Sequence, residues 1–214
     1  MTKQERLEKT AEYIKSEFSG EGTGHDWWHI VRVWNLATKL AKLENANLYI
    51  TEMAALLHDL DDWKFNELDE PVKAIAWLNK IGEETDTQEH IIKIIKNVSY
   101  KGAGVKTSMT TIEGKCVQDA DRLDALGAIG IARTFAYGGY KGNEIYNPNI
   151  KPTLHQSFED YKNKSTHTIN HFYEKLLLLK DRMNTDSAKQ LANERHAFMM
   201  VFLDEFYNEW KGEA

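Results

Sequence analysis

Apolar residues recur along this chain at steps of three and four, and no convincing run of β-branched residues alternates at steps of two. That periodicity predicts an all-α fold. The clearest stripe is His29, Val33, Leu36, Leu40 and Leu43, which puts His29 on the inward face of a helix. Residues 49–60 read as a short, largely buried helix, and 67–81 and 88–98 as amphipathic ones. Residues 111–136 read as one or two buried helices, with Gly127 and Gly130 permitting close packing. Residues 156–181 and 184–211 read as two long helices joined near Met183, Asn184 and Thr185. Two Gly-rich stretches, 100–104 and 138–152, interrupt the pattern. The second is either a functional lid or a plain surface connection.

Three polar segments break into this apolar sequence: Asp26-Trp27-Trp28-His29, His58-Asp59 and Asp121-Arg122-Leu123-Asp124. His58-Asp59 closes the apolar run Ala54-Ala55-Leu56-Leu57, so both side chains emerge from buried backbone. Ionisable groups in a core are costly unless they are paired or hold a metal. Taken singly, each reads more simply as a hydrogen-bonded core histidine or an ion-paired aspartate. Taken together, two imidazoles and two carboxylates make a mixed N/O site for one divalent cation. His29, His58, Asp59 and Asp121 would come from three helices and leave positions open for water and substrate.

Composition narrows the function. With 214 residues, 42% of them hydrophobic, the chain can bury a substantial core, and a single domain spanning 1–214 is expected. A net charge of -6 argues against a broad basic surface, so no polymeric nucleic acid is expected as a partner. A small anionic ligand remains compatible, because a local cationic cluster can outweigh the global sign. Cys116 is the one cysteine, which excludes an intrachain disulfide; it reads as a buried core thiol. The opening segment MTKQERLEKTAEYIKSEF is charged and amphipathic and lacks an apolar signal-peptide core. The expectation is therefore a cytoplasmic protein. The longest leucine run, Leu176 to Leu179, is far too short to span a bilayer. Nothing in the sequence specifies an oligomeric state.

The order His29, His58-Asp59, Asp121 resembles the HD superfamily of metal-dependent phosphohydrolases. The wider strings GHDWWHIVRV (24–33), ALLHDL (55–60) and DADRLDALG (119–127) resemble its bacterial YpgQ- and YedJ-like branch. The likeness is strong over about the first 140 residues and extends to Asn170–Leu176 and Glu194–Met199 near the C-terminus. It implies an HD-domain helical bundle with the metal site at its centre. It implies His29, His58, Asp59 and Asp121 as the ligands, and hydrolysis of nucleoside triphosphates to monophosphate and pyrophosphate. Superfamily members often carry a catalytic acid four residues after the first histidine of the His-Asp pair. Here that position is Asp62, and helical spacing independently puts i and i+4 on one face. Many relatives with this acid carry Glu, which is one methylene longer, so Asp61 competes for the role.

A triphosphate needs further cations. Arg32, one turn after His29, is the first candidate, followed by Lys64, Lys101 and Lys106, with Arg122 and Arg133 beside Asp121. Arginine offers bidentate phosphate contacts and lysine a point charge. His25 could donate to a phosphate or to the leaving group, or serve the start of the helix near Asp26. Among the tryptophans, Trp63 beside the acid cluster is the candidate for stacking on a base, whereas Trp27, Trp28, Trp34 and Trp77 read as core. Two imidazole ligands favour a transition metal, Mn²⁺ first, with Fe²⁺, Co²⁺, Ni²⁺ or Mg²⁺ as alternatives. The alternative activities are an HD-type nucleotide phosphatase, a cyclic phosphodiesterase, or a nucleotide-binding sensor without turnover.

Overall fold

The structure is a computed structural model and describes residues 1–19, 26–61, 70–98, 108–153 and 167–213. The described residues form nine α-helices and one 3-10 helix, with no strand among them. They divide into two compact units, one holding the described residues up to Asp121 and the other those from Arg122 onward.

The first unit is built from α1 (Lys3–Glu17), α2 (Trp27–Leu43), α3 (Leu48–Leu57), α4 (Val72–Lys80), α5 (Thr85–Val98) and most of α6 (Ile112–Asp124). At its centre lies α3, because it is apolar around nearly its whole circumference. Tyr49, Thr51 and every residue from Met53 to Leu57 are buried. The helices α1, α2 and α5 pack around it, and α4 packs on α5. The inward stripe of α2 is His29, Ile30, Val33, Ala37, Leu40 and Ala41. That corrects the sequence stripe: Leu36 is only partly buried and Leu43 is 58% exposed. The small side chains of Ala37 and Ala41 allow the close approach of a neighbouring helix that two leucines would hinder. Trp77 of α4 stacks on Tyr13 of α1 with ring centroids 4.0 Å apart, and its Nε1 donates to Thr10 Oγ1 at 2.9 Å.

The second unit contains α7 (Gly127–Tyr140), α8 (Thr168–Glu174), a 3-10 helix (Leu176–Arg182) and α9 (Asp186–Lys211). Residues 111–136 thus resolve into two helices. The chain breaks at Ala125 and Leu126 and restarts at Gly127 with φ +72°, a conformation that favours glycine. A Cβ on Gly130 would run into the Ala125 carbonyl, so that glycine is needed where the break folds back. Because α7 continues to Tyr140, Gly138 and Gly139 are helical rather than part of the loop. The rest of the connection is pinned down. Thr168 N donates to Glu144 O at 2.9 Å, Ile169 N to Ile145 O at 3.1 Å, and Asn170 Nδ2 to Ile150 O at 3.0 Å. Tyr146 packs edge-on against His167 and Trp210. These bonds anchor the described part of the connection to the start of α8 and to α9.

Within 156–181, the described part is not one long helix. The α-helix α8 ends at Glu174 and a 3-10 helix follows, whose threefold repeat stacks Leu176 over Leu179, both buried. No helix among the described residues is long and apolar enough to cross a membrane.

Candidate metal centre

The candidate ligands all lie in the first unit. His29 is the third residue of α2. The helix starts there because Asp26, in extended conformation, accepts from His29 N at 2.8 Å as its N-cap. The cap bond therefore fixes the ligand residue itself. His58 is the C-cap of α3 and keeps helical dihedrals, and Asp59 follows where the chain leaves the helix. Leu60 N bonds back to Leu57 O at 3.2 Å and tightens that turn. Asp121 sits on α6, which is held by Asn47 N donating to Glu113 Oε1 at 2.9 Å and by Gln118 Nε2 donating to Asn97 O at 2.8 Å.

These elements bring the four side chains together. The His29 and His58 rings lie 5.4 Å apart at 63°. His29, His58 and Asp121 each offer one ligand atom within 4.8 Å of the others. Asp59 Oδ2 is 3.3 Å from His29 Nε2 and 3.5 Å from His58 Nε2. Asp121 Oδ1 is 3.6 and 3.9 Å from the same two nitrogens. Both imidazoles are buried, while the Asp59 and Asp121 side chains keep 21% and 27% exposure. The carboxylates thus form the open side.

The residues fit a cation. His58 Nδ1 lies 2.8 Å from Ala55 O, a carbonyl that can only accept, so Nδ1 carries the proton. In the neutral ring Nε2 is then a bare lone pair. It is buried and makes no hydrogen bond among the described residues, yet it faces two carboxylate oxygens. A lone pair aimed at acceptors demands something positive between them. At separations of 3.3–3.9 Å neither Nε2 makes a hydrogen bond among the described residues. These separations match or slightly exceed the ligand-to-ligand spacing, roughly 3.0–3.5 Å, of a shell with bonds of about 2.1 Å.

Asp61, Arg122 and Arg133 are engaged by other parts of the fold. Asp61 Oδ1 accepts from Lys73 N and Oδ2 from Ala74 N, each at 2.9 Å, so both oxygens cap the start of α4. Arg32 lies one turn beyond His29 on α2 and is partly buried. Arg122 Nη1 donates to Arg182 O, and Arg133 Nη1 donates to Asp124 Oδ2 at 2.6 Å, so both guanidinium groups do structural work. Trp77 is the packed ring expected of it, but Trp28, expected in the core, is 63% exposed. Cys116 is buried, and burial pushes its thiol up to about 12, which suits an inert core residue. His25, Asp62, Trp63, Lys64, Lys101 and Lys106 lie outside the described residues.

Three structural roles escaped the sequence reading: Asp26 as the N-cap of α2, the Ala55 carbonyl as partner of His58, and Asp61 as the cap of α4. Asp26 carries a legible signal, a capping residue directly before an apolar helix. The Ala55 carbonyl is legible only once the helix end is known. Asp61 and its partners on α4 are separated by twelve residues, and no local pattern links them.

The chain belongs to the HD-domain family of metal-dependent phosphohydrolases; the HD domain pattern matches residues 27–126. YpgQ of Bacillus subtilis is 37% identical over 99% of this chain and 97% of its own length. Its structure in complex with ADP superposes with a TM-score of 0.76, covering 97% of this chain and 100% of that one. A protein from Lactobacillus plantarum has a similar structure, with 41% identity and a TM-score of 0.88 over 99% of this chain and 100% of its own. An HD-superfamily hydrolase from Bacillus thuringiensis is 46% identical with a TM-score of 0.78, over 98% of this chain and 99% of that one.

Proposed function

We propose that His29, His58, Asp59 and Asp121 hold one divalent cation, Mn²⁺, and that the protein hydrolyses nucleoside triphosphates to monophosphate and pyrophosphate. The observation that carries the metal reading is His58: its tautomer is set by Ala55 O and its free nitrogen faces Asp59 and Asp121. A two-nitrogen, two-oxygen donor set favours a first-row transition ion over Mg²⁺. When bound, the ion supplies Lewis acidity, lowering the pKa of a water and withdrawing charge from a phosphoryl group.

The chain's residues do the rest. Asp62, four residues after His58, orients the attacking water and takes its proton. Arg32, one turn from His29, contacts the phosphoryl group through its guanidinium. His25, Lys64 and Lys101 are further substrate contacts. A nucleotide as the ligand class is supported by YpgQ, which was crystallised with ADP. All 214 residues act as one HD phosphohydrolase domain in this reading. The single buried thiol suits the reducing cytoplasm.

The test is product analysis. The protein is incubated with each nucleoside triphosphate and Mn²⁺, and pyrophosphate is resolved from orthophosphate. Monophosphate and pyrophosphate in equal amounts are expected. Orthophosphate alone from every triphosphate would refute the cleavage position and leave the metal centre standing.

A further inference from the structure

We infer that Asp61 is a positioning residue for the metal centre, tying the turn that carries His58 and Asp59 to the N-terminus of α4. The inference rests on the metal reading above. Both oxygens of the Asp61 carboxylate are used, by Lys73 N and Ala74 N at 2.9 Å each. These donors belong to the second and third residues of α4, where a helix has no intrahelical acceptors to offer. The usual local solution is missing, because the N-cap position is Pro71, which makes no side-chain cap bond. Asp61 supplies the cap from another segment, twelve residues before Lys73.

A cap supplied at that distance is also a tether, and its far end is well anchored. Trp77 of α4 stacks on Tyr13 and donates to Thr10 Oγ1, so α1 braces α4 from one side. Ala74 and Leu78 are buried, and α4 packs on α5. Asp61 therefore connects a rigid frame of three helices to a point two residues after a proposed ligand. Its negative charge is spent on the positive end of α4 rather than on the ion. Asp59 Oδ2 must stay near two imidazole nitrogens, at 3.3 and 3.5 Å, for the cluster to hold. A slack turn would let it drift.

The test separates tethering from helix capping. Three variants are compared with the parent: Asp61→Ala, Asp61→Asn, and Asp61→Ala combined with Pro71→Ser. The serine stands at the N-cap of α4 and offers a local acceptor. Each full-length protein is measured for Mn²⁺ affinity by calorimetry without substrate, for thermal midpoint in EDTA, and for turnover. Asp61→Ala should lower the midpoint and weaken Mn²⁺ binding about 10- to 100-fold, the usual cost of losing an outer-shell support. Asp61→Asn keeps one accepting oxygen and should fall between. The double variant should recover the midpoint but not the affinity. If it recovers both, capping is the whole role of Asp61 and the inference is wrong. Parental affinity in folded Asp61→Ala would overturn it too. A large loss of kcat in Asp61→Asn, with affinity and midpoint unchanged, would make Asp61 a catalytic residue instead. If Asp61→Ala does not fold, the double variant carries the comparison. A parent protein that binds no Mn²⁺ at all would instead sink the metal reading itself.

Discussion

His58 Nδ1 spends its proton on Ala55 O, so in the neutral ring the other nitrogen is the lone pair that faces Asp59 and Asp121. The consequence is measurable. In His58→Ala and in Asp59→Ala, metal content and turnover should fall together, because each removes one of four donors from a site with no spare. Metal analysis of the purified variants checks this, and full occupancy in both would disprove the ligand set. Asp62 should behave differently. Asp62→Asn should retain the ion and lower kcat by about 10²–10⁴-fold, the loss expected for an acid-base group. Mn²⁺ titration alongside steady-state kinetics distinguishes the two patterns.

The break between α6 and α7 turns on two glycines with different duties. Gly127 supplies the positive φ, and Gly130 leaves room for the Ala125 carbonyl. Gly130→Ala forces a methyl group against backbone that cannot swing aside, and should cost about 1–3 kcal/mol in a denaturant titration. Gly139, helical and with open space where a Cβ would stand, should give the opposite sign as alanine, stabilising by about 0.5 kcal/mol. These elements also show what the sequence could and could not reveal. Helix periodicity located α2, α3, α5 and α9 closely, because a run of apolar residues at steps of three and four marks where a helix lies. Proximity of the four candidate ligands was legible because two histidines fell at core positions and needed partners, which the order of the motifs supplied. The replacement of Leu36 and Leu43 by Ala37 and Ala41 on the inward stripe was not legible, since it depends on how close a neighbour comes. Nor was the change to 3-10 geometry after Glu174, where Leu176 and Leu179 sit at a spacing that suits either helix. The Asp61 cap depends on tertiary proximity and leaves no local trace.

Acid should unfold this protein partly through its second unit. His171 is half-buried, and desolvation holds its imidazole down to about 3 against an ordinary value of 6.5, with Lys175 acting in the same direction. In the folded state the ring stays neutral; in the unfolded chain it takes a proton below 6.5. Unfolding therefore binds a proton in that window, so stability is fully present above pH 6.5 and is lost progressively as pH falls toward 3. Thermal midpoints measured from pH 7 to 4 should decline, and the decline should be shallower in His171→Gln. Equal slopes would mean that other groups account for the acid sensitivity.

The order of the ligands along the chain has a consequence for biosynthesis. His29, His58 and Asp59 leave the ribosome well before Asp121, and chains emerge at roughly 5–20 residues per second. Until α6 has been made and docked, an incoming ion meets an incomplete shell and is weakly held. With the proposed ligand set, metal capture should await completion of the first unit, because the shell lacks a carboxylate until then. On the proposed ligand set, selection among competing ions should therefore be decided only when the last carboxylate arrives.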